Sequence, residues 1–187
     1  GNTLKDKTIS TLLEAPDGAI FVGCQTGMYK SADNGKTWKR VFKEGFILSL
    51  LTADGALVAG GYRGLFRSTD GGEHWDQVME TEGAAAHTTW IDGKIVTIIV
   101  DGTTNRLYTS ADSGKTWQVM DESLSQIWSV YDIRQTGGFL LCNTNAGIFR
   151  SSDQGKSWEL VLPANEGKSF NMTVSGLVVY ALIRSGC

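Results

Sequence analysis

One octapeptide recurs four times along the chain: SADNGKTW at 31–38, STDGGEHW at 68–75, SADSGKTW at 110–117 and SSDQGKSW at 151–158. Ser, Asp, Gly and Trp hold fixed places in every copy, and the copies start 37, 42 and 41 residues apart. A period of roughly 40 to 50 residues belongs to repeats of several short strands. Helical repeats of that length need apolar residues at i, i+3, i+4 and i+7. The segments here are instead short, β-branched or aromatic, and bounded by Gly or Asp-Gly. The 23 Gly against 2 Pro agree with a chain of tight hairpins.

Each unit reads as a four-stranded meander. In the first, AIFVGCQT (19–26) pairs with GMYKS (27–31), the octapeptide turns, and WKRVF (38–42) is the next strand. ALVAGGYR with GLFRS, KIVTIIVDGT with RLYTS, and GFLLCNTN with GIFRS repeat the scheme. FILSLLTADG (46–55), AHTTWIDG (86–93), IWSVYDIRQTG (127–137) and FNMTVSG (170–176) are the expected innermost strands. A meander cannot cover both of its own faces, so the units must stack, and radial stacking gives a β-propeller whose inner strands surround a central channel. The expected fold is all-β, one propeller domain over 1–187, with blades near 8–43, 45–80, 84–121 and 126–162 and a partial one at 169–187. The chain ends where a fifth octapeptide would begin. This raises the expectation of a longer ring of six to eight blades; an imperfectly closed five-bladed ring and completion by another chain are the alternatives. The unfinished fifth blade exposes a sheet edge open to self-association.

A net charge of -3 and a pI near 5.4 provide no basic field for a phosphate backbone, which excludes nucleic acid as the expected partner. Cys24, Cys142 and Cys187 lack metal or redox spacing and read as buried or free thiols. No run is long and apolar enough for a membrane span.

The octapeptide itself invites a metal or phosphate reading. In a hairpin turn, however, Asp33, Asp70, Asp112 and Asp153 can accept backbone N–H groups just ahead. Gly35, Gly72, Gly114 and Gly155 can take positive φ, and Ser31, Ser68, Ser110 and Ser151 can satisfy leftover turn groups. Trp38, Trp75, Trp117 and Trp158 can pack on the sheet beneath. Each copy has a single invariant carboxylate and no distant Glu, unlike a calcium loop. The expected role is structural, with no metal and no cofactor.

These four copies resemble the Asp-box, or bacterial neuraminidase repeat, Ser-x-Asp-x-Gly-x-x-Trp. The run G-[IL]-F-R-S-x-D-x-G-x-x-W at 64–75 and 147–158 is most similar to photosystem II stability/assembly-factor-like proteins. The repeat also occurs in sialidases, xyloglucanases and sortilin-type receptors. The resemblance implies a propeller, an exported protein, and function on the face opposite the boxes. A sialidase would need an arginine triad, a Tyr/Glu pair and an acid there. Tyr62, Arg63, Asp101, Arg106 and Arg184 supply raw material, with Glu80, Glu82, Asp121, Glu122 and Glu166 in the crossings. The Arg-Ile-Pro element of sialidases is absent, and the two facing aspartates of xyloglucanases usually lie between two propellers.

The resemblance therefore favours a non-catalytic protein that binds a protein, peptide or glycan, with glycoside hydrolase as the alternative. Candidate ligand-binding residues are Tyr62, Arg63, His87, Asp101, Arg106, Trp128 and Phe170, since exposed aromatic and arginine groups favour binding. His87, Trp90 and Trp128 could equally pack between blades. A basic series, Lys30, Arg67 and Arg150, broken by Thr109, precedes the boxes. It reads as a solvated strand face or a docking strip for an acidic partner.

Overall fold

The computed structural model describes residues 4–5, 7–101, 104–121, 130–165 and 168–185. These residues form sixteen β-strands and no helix. The strands are β1 (Ile9–Glu14), β2 (Ile20–Cys24), β3 (Gly27–Ser31), β4 (Lys39–Phe42), β5 (Ile47–Ala53), β6 (Ala56–Ser68), β7 (Asp76–Ile91) and β8 (Lys94–Asp101). They continue as β9 (Thr104–Ser110), β10 (Gln118–Asp121), β11 (Val130–Thr136), β12 (Phe139–Thr144), β13 (Gly147–Ser151), β14 (Glu159–Pro163), β15 (Lys168–Ser175) and β16 (Val178–Ser185). All pairings are antiparallel between sequence neighbours: β1 to β4, β5 to β10, β11 to β14, and the pair β15 and β16.

The box serine sets the register. It pairs with the first or second residue of the second strand of its unit, as in Ile20 with Ser31, Ile95 with Ser110 and Leu140 with Ser151. In the second unit the corresponding residues, Leu57 and Ser68, both lie in β6. Arg63 and Gly64 there have φ of 76° and 119°. These break the extended course into an arm that pairs with β5 and an arm that pairs with β7.

Units two and three are not the separate sheets the repeat predicts. They share one six-stranded sheet, because only Thr81–Gly83 separate the outer strand of one from the inner strand of the next. Pairing of Tyr62 with Ala84 carries the ladder across.

The core lies between units, as stacking requires. Phe21, Met28 and Phe42 of the first unit pack with Ile47, Leu57 and Phe66 of the second. Ile91, Val96, Ile98 and Leu107 of the third pack with Val130, Ile133, Leu140 and Cys142 of the fourth. Phe170 and Met172 cover Leu141 and Ile148. The inner strands converge in order, β1 against β5, β5 against β7, β7 against β11 and β11 against β15.

Polar latches supplement this packing. Asn105 Nδ2 donates to Val130 O at 2.8 Å, and Asn143 Nδ2 donates to Phe170 O. Ser10 Oγ donates to Gly23 O and to Ile47 O. The two asparagine bonds and the Ser10–Ile47 bond each tie one unit to the inner strand of the next.

Candidate functional site

The boxes are closed turns. Ser31 Oγ donates to Asp33 Oδ1 and accepts Gly35 N–H, both at 2.8 Å. Asp33 Oδ1 also accepts Thr37 N–H at 2.8 Å, while its Oδ2 accepts the Thr37 hydroxyl at 2.6 Å. Trp38 Nε1 returns to Gly35 O at 3.0 Å. The other three boxes repeat the scheme, with His74 Nδ1 in the place of the hydroxyl on Asp70. These donors, led by the Thr37 and Thr116 hydroxyls and that of Ser157, hold Asp33, Asp112 and Asp153 at about 2 against an ordinary 3.8. The backbone N–H and ring of His74 push Asp70 further down. Both carboxylate oxygens are thus committed within the turn.

The boxes also act between blades. Trp75 packs against the Phe21–Phe42 cluster of the preceding unit, and Trp117 and Trp158 each join a cluster that includes residues of the unit before their own. Lys30 Nζ reaches Gly71 O in the second box at 2.8 Å and Glu73 at 3.0 Å. Arg67 Nε reaches Ser113 O in the third at 2.8 Å. Lys30 and Arg67 are therefore seam latches, which replaces both readings of the basic series. Arg150 pairs instead with Glu159 and lies over the Phe139 ring.

At the other end of the strands, a second repeating position emerges. β1, β5 and β11 each carry a register irregularity one residue after entry, and β7 carries one within the arm that pairs with β8. They fall between Ile9 and Thr11, Ile47 and Ser49, Ala85 and His87, and Val130 and Asp132. Bulges re-aim side chains at rims and sites. The residue after each one is polar: Thr11, Ser49, His87, Asp132. Ser49 Oγ and Thr88 Oγ1 are 2.9 Å apart, and Thr88 Oγ1 lies 3.1 Å from Thr97 Oγ1.

Between blades three and four the position becomes ionic. His87 Nε2 lies 3.0 Å from Asp132 Oδ1, a contact that is charged only when the imidazole is protonated and is not aligned as a hydrogen bond. Arg134 Nε donates to Asp132 Oδ2 at 3.0 Å. Asp132 is mostly buried and Arg134 more open, while Tyr131, the bulged residue, is 49% exposed. The cluster presents a guanidinium and a phenol beside a carboxylate already in use. Such a set can hydrogen-bond and stack on a partner.

The candidates read from sequence divide. Tyr62 is exposed, edge-on to Phe46 with ring centroids 5.5 Å apart, and Arg63 is exposed in its left-handed turn. Tyr62, Ala84, Val100 and Asn105 form one cross-strand row, which aligns the Tyr62 turn with the entry to β9, where Arg106 is exposed. Asp101 is exposed at the end of β8. His87 belongs to the ionic cluster. Phe170 is a correction: it is 9% exposed and packs between blades four and five, since an apolar ring on an inner strand is covered by its neighbour. Trp90 bridges to the second unit through Nε1 to Thr52 O. Trp128, Glu122, Glu166 and Cys187 lie outside the described residues, and nothing is described for the side chains of Asp121 and Arg184.

Sequence reading missed Thr11, Ser49, Asp132 and Arg134. Counting back 19 to 23 residues from each box serine brings the first two, His87 and Asp132 into line. Among the described residues, no group of three or more His, Cys, Asp or Glu side chains is placed to hold a metal ion.

The sequence signature described as BNR-Asp box repeat matches residues 148–161, the fourth box and its flanks. No curated protein matches the chain in sequence. Among solved structures, it is similar to YCF48 from Cyanidioschyzon merolae, with a TM-score of 0.67 at 16% identity over 99% of this chain and 66% of that one. An ancestral GH74 enzyme aligns with a TM-score of 0.68 at 16% identity, over 84% of this chain and 24% of the enzyme. The extracellular domain of a one-component system from B. thetaiotaomicron gives 0.69 at 13%, over 97% and 28%. The chain thus spans between about a quarter and two thirds of these neighbours. At such identities the likeness is one of fold, and with the four boxes it makes this chain an Asp-box repeat β-propeller.

Proposed function

We propose that the chain is a non-catalytic binding propeller, acting as one domain, that holds a polypeptide partner at the end opposite its boxes. The observation that carries this reading is the polar position after each inner-strand bulge, which culminates in His87, Asp132 and Arg134 beside exposed Tyr131. Burying charge is costly unless it is paired. The first and second units fill the same position with Thr11 and Ser49, so the fold does not require charge there. Exposed Tyr62, Arg63 and Arg106 at the same end add the aromatic and guanidinium groups that dominate binding energy. An exported location, supported by the likeness to an extracellular domain, is part of this reading.

Hydrolysis of a glycoside, the reading prompted by the GH74 neighbour, needs two carboxylates with distinct roles. Asp132 has one oxygen on Arg134 and the other against His87, which disfavours it as a free base or nucleophile. The test is capture of partners from the source organism on immobilised protein, comparing the parent with an Arg63→Glu/Arg134→Glu variant and a box-face Lys36→Glu/Lys115→Glu control. A partner retained by the control and lost from the first variant supports the proposal. Equal capture by all three, or turnover of fluorogenic glycosides that is lost on changing Asp101 or Tyr62, overturns it.

A further inference from the structure

The latch series fails at one seam. Lys30 reaches the carbonyl of Gly71 and Arg67 that of Ser113, the residue before the box glycine in each following blade. The third member of the series is Thr109, and the equivalent carbonyl belongs to Gln154. Threonine is too short to span the gap, and its Oγ1 is buried with no hydrogen-bond partner. A cleft of about 290 Å³ opens there, lined by Thr109, Gln154, Val96, Leu140, Lys94 and Lys156 among others. At the first seam, where Lys30 is in place, the cleft is about 210 Å³ and no lysine lines it.

The walls and mouth of the larger cleft differ in chemistry. Val96 and Leu140 are buried core residues, whereas Lys94 and Lys156 are exposed. Neither lysine belongs to an ion pair among the described residues. The one acid at the rim, Asp92, is held by Gln135: its N–H donates to Gln135 Oε1 at 3.0 Å and its Oδ1 accepts Gln135 Nε2. Apolar walls with a few convergent polar groups make a small-molecule site.

We infer that this seam binds a small organic carboxylate with an apolar or aromatic body: the body lies on Val96 and Leu140, and the carboxylate meets Lys94 and Lys156. The site is independent of the partner surface at the opposite end.

Titration with 4-phenylbutyrate, followed by amide and methyl NMR shifts, tests it. At millimolar concentration the expected shifts centre on Val96, Thr109 and Leu140. The uncharged 4-phenylbutanol, and the Lys94→Glu/Lys156→Glu protein, are expected to bind at least tenfold more weakly. Thr109→Arg restores the latch toward Gln154, so it is expected to abolish these shifts while the thermal midpoint rises. Absence of shifts at the seam in the parent, or equal affinity for acid and alcohol, overturns the inference. So does undiminished binding by folded Lys94→Glu/Lys156→Glu or Thr109→Arg protein.

Discussion

Arg67 of the second blade donates from Nε to the carbonyl of Ser113 in the third box, 2.8 Å away across the seam. The box is thus a turn for its own blade and a docking point for the one before it. Gly114 of the same box shows the closeness of this fit, since a Cβ there would lie 2.7 Å from Val58 in the preceding blade.

Replacing Arg67 by Met keeps much of its apolar stem and removes a charge-assisted hydrogen bond. Such bonds contribute about 1.5–3 kcal/mol, and partial exposure of Arg67 places the expected loss toward the lower end. Urea unfolding of Arg67→Met should show it. A loss no larger than that of Arg150→Met, whose side chain lies on the surface with Glu159, would remove the latch from the energetics.

The box carboxylates make stability depend on acid. Asp33, Asp112 and Asp153 are held at about 2 in the folded chain, against an ordinary 3.8. A group with a lowered folded value stabilises above its unfolded value and loses that contribution as pH falls through the folded one. The thermal midpoint should fall between about pH 4 and pH 2. Asp112→Asn should have a lower midpoint at neutral pH and a shallower fall over that window, measured by circular dichroism melts.

Gly147 enters β13 with φ at 134°, and a Cβ there would lie 2.1 Å from Leu162 O. Backbone atoms cannot give way as a flexible side chain can. Gly147→Ala should therefore destabilise by at least about 2 kcal/mol through strain and overpacking, read from the denaturation midpoint. The same substitution at Gly138, where nothing lies within 4 Å of the added carbon, has only its φ of 82° to overcome and should cost less.

The residue before each box glycine is also left-handed, with φ of 56° at Asn34, 69° at Gly71, 58° at Ser113 and 61° at Gln154. Asn tolerates this region and glycine adopts it freely, whereas glutamine is strained. Gln154→Gly should raise stability by about 0.5–1 kcal/mol after the entropy of the unfolded chain is counted. Differential scanning calorimetry would detect the shift, and a decrease would show that the Gln154 side chain contributes contacts of its own.

The box turns were legible in the sequence because their residue types state their chemistry directly: a short acceptor, a hydroxyl and a glycine at fixed spacing. The left-handed position that Asn34 occupies was not, since Asn, Gly, Ser and Gln share no feature that announces it. Lys30, Arg67 and Thr109 were visible as a broken series, but their meaning depends on which box lies across the seam, and strand pattern carries no record of that. The same limit hid Asp132, which meets His87 only when inner strands of successive blades converge. Phe170 looked like a binding ring because an aromatic on an inner strand has the same local pattern whether or not the next blade covers it. The six-stranded sheet arose from a connection only three residues long, Thr81–Gly83, too brief to separate two units.

The most direct test of which end of the propeller works is site-specific photo-crosslinking in the source organism. A photoreactive residue is placed in turn at Tyr62 and Tyr131, at the end opposite the boxes, and at Lys36 and Lys115 within them. Partner adducts from Tyr62 and Tyr131, with none from Lys36 or Lys115, are expected. Adducts from the box positions alone would contradict the assignment of function to the opposite end.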